Sequence, residues 1–288
     1  MNTIPISISS LAVSSLTEPA LLEKQESLLS SLRECDSLLV ALSGGADSAY
    51  LAWAAHRSIG PKMLAVTALS ASFSAHDREQ LELFIRSAQI PHAFIETREF
   101  DNPLYVSNAA DRCYHCKDEL FLKMEQMAES RGFSRIAYGI NSDDTHDFRP
   151  GHRAAHEHGV LTPLLEAGLR KEEIRRLSRR AGLPTWDRPA SACLSSRVPY
   201  GTAVTPELLA KIERAESALR ELGFRQFRVR AHGELARIEL APDELSRGLQ
   251  PEWSQEIAGR VKAAGFSFAT IDPEGYRQGS LNALLKSK

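Results

Sequence analysis

Ser43-Gly44-Gly45-Ala46-Asp47-Ser48 has the residue types of an anion-holding loop. It follows the apolar run Leu38–Leu42 and opens into a helical pattern at Ala49-Tyr50-Leu51-Ala52. Gly44 and Gly45 let backbone N–H groups curl around a phosphate without interference from Cβ. A helix starting there directs the positive end of its dipole at the same point. Ser43 and Ser48 add hydroxyl donors. Asp47 would repel a bare phosphate, but is understandable if a magnesium ion lies between carboxylate and phosphate. No Gly-Lys-Ser/Thr ending is present, so the loop is not of the Walker type. The plainer alternative is a glycine turn in an ordinary strand-to-helix connection.

Three of the four cysteines need an explanation of their own. Cys35, just before the first strand, reads as an inert thiol. Arg112-Cys113-Tyr114-His115-Cys116-Lys117 places a Cys-x-x-Cys pair ahead of a helix expected over Lys117–Ser130. Such a pair can be a redox couple, half of a zinc site, or two ligands of an iron–sulfur cluster. Cys193 lies in a Pro- and Gly-bearing loop between Arg188 and Arg197, cations that favour thiolate over thiol. Its plain alternative is a small buried residue in a linker. Three thiolates with a fourth position open are awkward for structural zinc and suit a cubane cluster with one reactive iron.

Further candidates are weaker. Arg228 and Arg230 alternate with Phe227, Val229 and Ala231, so both project from one strand face, as a substrate phosphate would require. A solvated strand face is the alternative, and Arg197 is a third candidate. Asp143 and Asp144 could hold metal or cap the following segment. His152 and His156 are four apart but lack an acidic or thiolate complement, which argues against zinc. The basic stretch Leu169–Ala181 reads as a helix with a solvated face.

These groups need a scaffold, and the pattern supplies one. Leu21, Leu22, Gln25, Leu28, Leu29 and Leu32 follow a helical period. Strands are expected at Met63–Leu69, Ala93–Glu96 and Arg135–Gly139, with a helix at Ala75–Ala88. Strands separated by helices imply an α/β fold with a parallel sheet, whose ligands bind beyond the carboxyl ends of the strands. That gathers Ser43–Ser48, Thr67–Ser70 and Gly139–Asp144 around one crevice. After Gly201 the order changes to helix Glu207–Leu222, strands Arg225–Ala231 and Leu235–Leu240, helix Pro251–Ala264 and strand Phe268–Ile271. The expected organisation is a flexible tail over 1–18, an α/β domain over 19–200 and a small α+β domain over 201–288. A net charge of −2 over 288 residues gives no general attraction to nucleic acid. No apolar run approaches bilayer length, and the Ser-rich start lacks a secretion-signal pattern, which points to the cytosol.

Ser-Gly-Gly-x-Asp-Ser after a hydrophobic strand resembles the signature of the N-type ATP pyrophosphatases, PP-loop enzymes that cut ATP between the α- and β-phosphates. Together with the Arg112–Lys117 block, Gly139-Ile140-Asn141-Ser142-Asp143-Asp144, the Ala192–Gly201 block and Arg228-Val229-Arg230, it resembles the LarE family. The resemblance runs from about Leu38 to the Leu235–Leu240 strand. It implies an ATP-dependent sulfur transferase that adenylates the carboxylates of a pyridinium dicarboxylic acid mononucleotide and converts them to thiocarboxylates. The product belongs to nickel-pincer nucleotide cofactor synthesis for lactate racemase.

ATP, Mg²⁺ and a 4Fe-4S cluster are the expected cofactors. Ser43, Gly44, Gly45, Asp47 and Ser48, with Thr67, Gly139, Arg112 and Lys117, are expected at the nucleotide. Arg197, Arg228 and Arg230 are expected at the substrate, and Cys113, Cys116 and Cys193 at the cluster, with Asp47 and Cys193 central to catalysis. Arg149 and Arg153 are weakly implied to face the nucleotide. The family has two modes of sulfur delivery: a sacrificial cysteine matching Cys193, and a three-cysteine cluster fed by a sulfide donor. All three cysteines being present favours the cluster. A homo-oligomer is also implied. Rival readings are ammonia-dependent amidation, tRNA thiolation and a nucleotide-binding redox sensor.

Overall fold

Leu21, Leu28 and Leu32 form the buried stripe of the first helix, α1 (Glu18–Arg33). Gln25, the polar residue of that face, donates from Nε2 to the Tyr50 hydroxyl at 2.9 Å, which ties α1 to the next helix, α2 (Ala46–Ile59). The computed structural model describes residues 17–146, 150–189, 192–277 and 279–281. Most of the expected tail, and Arg149, lie outside the described residues.

Four strands form one parallel sheet in the order β3-β2-β1-β4: β1 (Leu38–Ala41), β2 (Met63–Leu69), β3 (His92–Glu96) and β4 (Arg135–Tyr138). All four residues of β1 are buried, as expected of a central strand covered on both faces. Ala41 pairs with Val66 on one side and Tyr138 on the other. The chain leaves β1 towards β2 and β3, then returns to its other flank as β4. The carboxyl ends of β1 and β4 therefore border a topological switch point, where such sheets open a crevice. Helix α3 (Ala75–Ala88), between β2 and β3, is capped by Ser74, which accepts from the Asp77 N–H.

The segment between β3 and β4 departs from expectation. A short helix, α4 (Pro103–Val106), is capped by Asn102 Oδ1, which accepts from Leu104 N at 2.9 Å. The next helix, α5, spans Arg112–Arg131, so Cys113 and Cys116 lie within its first turns rather than ahead of it. The cause is long-range. Arg112 is buried and its Nη1 donates to Asn108 Oδ1 at 2.5 Å and Ser195 O at 2.8 Å, which pins the first turn. Residues three apart on a helix are neighbours, so both thiols share one helical face. After β4 come α6 (Pro150–Glu157), α7 (Pro163–Glu166) and α8 (Lys171–Arg180).

The second sheet has the order β5-β6-β7: β5 (Phe227–His232), β6 (Leu235–Leu240) and β7 (Phe268–Ile271). β5 and β6 are antiparallel, β6 and β7 parallel. Helices α9 (Pro206–Glu221), α10 (Pro242–Gly248) and α11 (Pro251–Ala263) accompany it. Ile212, Val229, Ile238 and Val261 anchor its core, which also takes in Leu194, Val198 and Tyr105. Asn108, with a left-handed φ of 56°, donates from Nδ2 to Pro199 O (2.8 Å) and Thr202 O (2.9 Å). The stretch around Gly201 is thus fastened to the turn after α4. Among the described residues no helix is long and apolar enough to cross a membrane.

Candidate functional site

The loop Ser43–Ser48 is closed by its own hydroxyls. Ser48 Oγ accepts from Ser43 N at 3.1 Å and donates to Gly45 O at 3.1 Å. Gly44 has φ 78°, which a side chain would resist, and Gly45 is the N-cap of α2. The free end of α2 therefore points into the crevice, a ready anion site. Gly139 is required for packing. A Cβ there would lie 2.9 Å from Ser48 Cα and 3.0 Å from Ser48 N, so the end of β4 presses on the loop backbone. Thr67 Oγ1 donates to Leu42 O at 2.7 Å and accepts from His92 Nε2 at 2.9 Å, so this side chain braces the loop from below. Burial pushes His92 down to about 4, which keeps it neutral.

Asp47, in the first turn of α2, accepts at Oδ2 from Lys171 Nζ (2.5 Å) and Asn141 Nδ2 (3.3 Å). Its Oδ1 is buried without a hydrogen-bond partner. Burial raises its pKa, Lys171 opposes that rise, and Asp144 adds to it. An orphaned, buried carboxylate oxygen at a phosphate-type loop, with a second carboxylate in electrostatic range, fits a magnesium ion. Asp143 Oδ2 caps α8 by accepting from Lys171 N at 2.8 Å, and Asp144 Oδ2 accepts from Asn141 N at 3.2 Å.

Ser43, Thr67, Glu99, Cys116, Lys117, Tyr138 and Cys193 line one cavity of about 120 Å³ beyond β1 and β2. The phosphate loop and the cysteine segments, far apart in sequence, therefore meet. Cys193 and Cys113 are exposed, while Cys116 is partly covered and burial pushes its thiol up to about 12. The Arg112 guanidinium approaches Cys113 Sγ at 4.0 Å. Burial works against its charge, but Cys193 and Cys113 raise its pKa overall. Lys117 is opposed by burial too, yet Tyr138 and the three thiols raise its pKa; its Nζ lies 4.8 Å from the Tyr138 ring centre. Among the described residues no three His, Cys, Asp or Glu side chains converge closely enough to hold a metal ion. Cys116 and Cys193 share the cavity wall, while Cys113 lies exposed on the same helical face as Cys116, and the three do not meet at a point.

The expected substrate arginines are buried rather than on a solvated face. Arg197 pairs with Glu216 through Nε (2.9 Å) and Nη2 (3.1 Å), and its Nη1 donates to Cys193 O at 3.0 Å. Although burial favours protonation of Glu216, Arg197 outweighs it and holds the carboxyl low. Arg230 binds Glu239 Oε2 from Nε (3.0 Å) and Nη2 (2.8 Å) and donates to Ser196 O at 2.9 Å. Arg228 donates to Phe227 O at 2.7 Å and lies 5.1 Å from the Tyr276 ring centre. Arg197 and Arg230 thus hold the carbonyls of the Cys193–Arg197 loop.

Arg153 stacks on Tyr114 at 4.0 Å, and His152 lies 6.4 Å from Tyr138, ring centre to ring centre. Sequence reasoning missed Lys171, counted as part of a solvated basic face, and the acidic partners Glu216 and Glu239. It also missed the clamp of Arg188, which donates to Gly44 O and Asp77 Oδ1 at 2.7 Å each. The one available signal was Glu239 in an alternating strand, directly opposite Arg228 in the β5–β6 register.

Comparison with known proteins gives three relevant similarities. An uncharacterized protein of Synechocystis is 40% identical over 262 residues, covering 91% of this chain and 98% of that one. The pyridinium-3,5-bisthiocarboxylic acid mononucleotide synthase of Lactiplantibacillus plantarum is 31% identical over 268 residues, covering 91% of this chain and 95% of that enzyme. The glutamine-hydrolyzing GMP synthase of Trichormus variabilis is 28% identical over 173 residues, 51% of this chain and 32% of that enzyme. No family model matches the chain.

Proposed function

The chain belongs to the LarE family, that of the pyridinium-3,5-bisthiocarboxylic acid mononucleotide synthase, and from this we propose that it is an ATP-dependent sulfur transferase. Its substrate would be a pyridinium dicarboxylic acid mononucleotide whose carboxylates become thiocarboxylates. The observation that carries the reading is a cavity lined by both Ser43 of the phosphate loop and Cys193. Activation and sulfur delivery must occur within reach of one another, because an acyl adenylate hydrolyses if water arrives first.

A carboxylate is a poor acyl donor. Attack of its oxygen on the α-phosphorus of ATP forms a mixed anhydride and releases pyrophosphate. The loop N–H groups and the α2 terminus hold the phosphates, and Asp47 would hold Mg²⁺ through Oδ1, which neutralises charge on the leaving pyrophosphate. Lys171 opposes the rise in the Asp47 pKa that burial causes. A sulfur nucleophile then attacks the acyl carbon, and AMP leaves. Arg228, Arg230 and Arg197 are proposed to receive the substrate phosphate by exchanging some of their present partners.

Cys113, Cys116 and Cys193 are the proposed ligands of a four-iron four-sulfur cluster, and because they do not converge in the described structure they would have to draw together to hold it. Held by those residues, such a group would supply sulfur at the sulfide level to the acyl adenylate. A second reading has a specific observation in its favour. Of the two exposed thiols, Cys193 lines the cavity with Ser43 and Cys113 does not, while burial raises the Cys116 pKa, so Cys193 can serve alone as a sacrificial sulfur donor. Amidation and redox sensing leave the thiols and the adenylation loop, respectively, without a purpose.

The test is product analysis with ATP, Mg²⁺ and the dicarboxylate nucleotide. AMP and pyrophosphate should appear only when the acceptor is present, and Asp47→Ala should abolish both while the fold persists. Formation of ADP and phosphate would overturn the reading.

A further inference from the structure

Glu99 is buried at the cavity, and nothing in the chemistry above uses it. It is 3% exposed. Its Oε1 accepts a long bond from Ser72 Oγ at 3.4 Å, and its Oε2 is buried with no hydrogen-bond partner. The short helical turn Glu99–Asp101 fixes its position, and it lines the same cavity as Lys117 and Cys193. Burying a carboxylate oxygen without a partner is costly, so a ligand that pairs with it is favoured there. Phe73, Leu120 and Tyr138 give the same cavity apolar and aromatic walls. Lys117 contributes a cation beside Tyr138. A fixed anion, a fixed cation and flat apolar walls suit an aromatic ring that carries a positive charge together with carboxylates.

We infer that Glu99 is the counter-ion for an N-substituted pyridinium ring, and so a specificity-determining residue that distinguishes cationic from neutral aromatic carboxylates. This rests on the reading under Proposed function and names the feature of the substrate that this chain selects. A substituted pyridinium nitrogen has no proton to donate, so the attraction is between charges. It strengthens where apolar walls exclude water. A neutral adenine ring could instead offer an amine to the same oxygen, and the experiment separates the two.

Glu99→Gln keeps the shape and an acceptor for Ser72 but removes the charge. Steady-state AMP release is measured with pyridinium-3,5-dicarboxylic acid mononucleotide and with its C-nucleotide analogue, in which a neutral benzene dicarboxylate replaces the pyridinium. The variant should raise KM for the pyridinium substrate about 10–100-fold. KM for ATP and for the neutral analogue should not change. Glu99→Asp, which retains the charge, should recover part of the discrimination. Equal changes for both rings, or a rise in KM for ATP, would overturn the inference. Wild-type turnover with unaltered discrimination in Glu99→Gln would overturn this inference alone. Absence of any wild-type AMP release with the pyridinium substrate would overturn the underlying reading and this inference with it.

Discussion

Lys171 Nζ meets Asp47 Oδ2 at 2.5 Å, which joins the first turn of α8 to the first turn of α2 across 124 positions of sequence. The contact turns a helix that reads as a solvated basic face into part of the phosphate site. It also works against the burial that raises the pKa of the carboxylate proposed to hold magnesium.

The pH dependence of pyrophosphate release follows from that pair. Burial raises the pKa of Asp47, so full ionisation requires a higher pH than for an ordinary carboxylate. Lys171→Met removes the opposing charge and should move the acidic limb of the profile further upward. Its rate at neutral pH should fall about 10–100-fold, the worth of a hydrogen bond to a charged group. An unchanged acidic limb in the variant would show that Asp47 does not govern the step.

Gly139→Ala tests the packing of β4 on the loop. The added methyl would lie 2.9 Å from Ser48 Cα, and backbone cannot swing aside as a side chain can. The variant should lose about 1–3 kcal/mol of stability, the usual cost of overpacking. ATP affinity should fall with it. Thermal unfolding and nucleotide titration check both.

Arg197→Met leaves Glu216 buried without its bidentate partner. Breaking a buried pair from one side costs about 3–5 kcal/mol. Because Arg197 also holds Cys193 O, accessibility of the Cys193 thiol to alkylation should rise even where the fold survives. Arg228→Ala should weaken binding of the substrate mononucleotide about 10–100-fold while leaving ATP binding nearly unchanged. Equal loss of both ligands would assign Arg228 a structural role.

His158 gives a stability prediction away from the site. It bonds Glu125 through Nδ1 at 2.9 Å and Asp118 through Nε2 at 3.0 Å. Burial opposes its charge, but the two carboxylates raise its pKa above 6.5. A raised folded-state pKa means the stabilisation is complete below 6.5 and fades as pH climbs through the folded value. Denaturant unfolding should therefore show stability falling above 6.5 in the wild type, with a flatter dependence in His158→Gln.

Much of the scaffold was legible because its signals are local. The helix Ala75–Ala88 and the strands Met63–Leu69, Leu235–Leu240 and Phe268–Ile271 have the bounds that periodicity and turn residues give. The phosphate loop was legible from its glycines. The start of α5 was not, since Asn108 and Ser195 decide it from outside the segment. The buried state of Arg228 and Arg230 was equally hidden. Alternation separates two faces of a strand, but it does not tell whether the second face meets water or is buried beside Glu239 of the neighbouring strand. Lys171, Glu99 and Arg188 acquire their roles through contacts that no short window of sequence contains.

The most direct test is mass analysis of the small-molecule product after anaerobic incubation with ATP, Mg²⁺, sulfide and pyridinium-3,5-dicarboxylic acid mononucleotide. The account predicts replacement of a carboxylate oxygen by sulfur, with one AMP and one pyrophosphate released per sulfur inserted. An amide product, or AMP release with the substrate returned as the unmodified dicarboxylate, would contradict it.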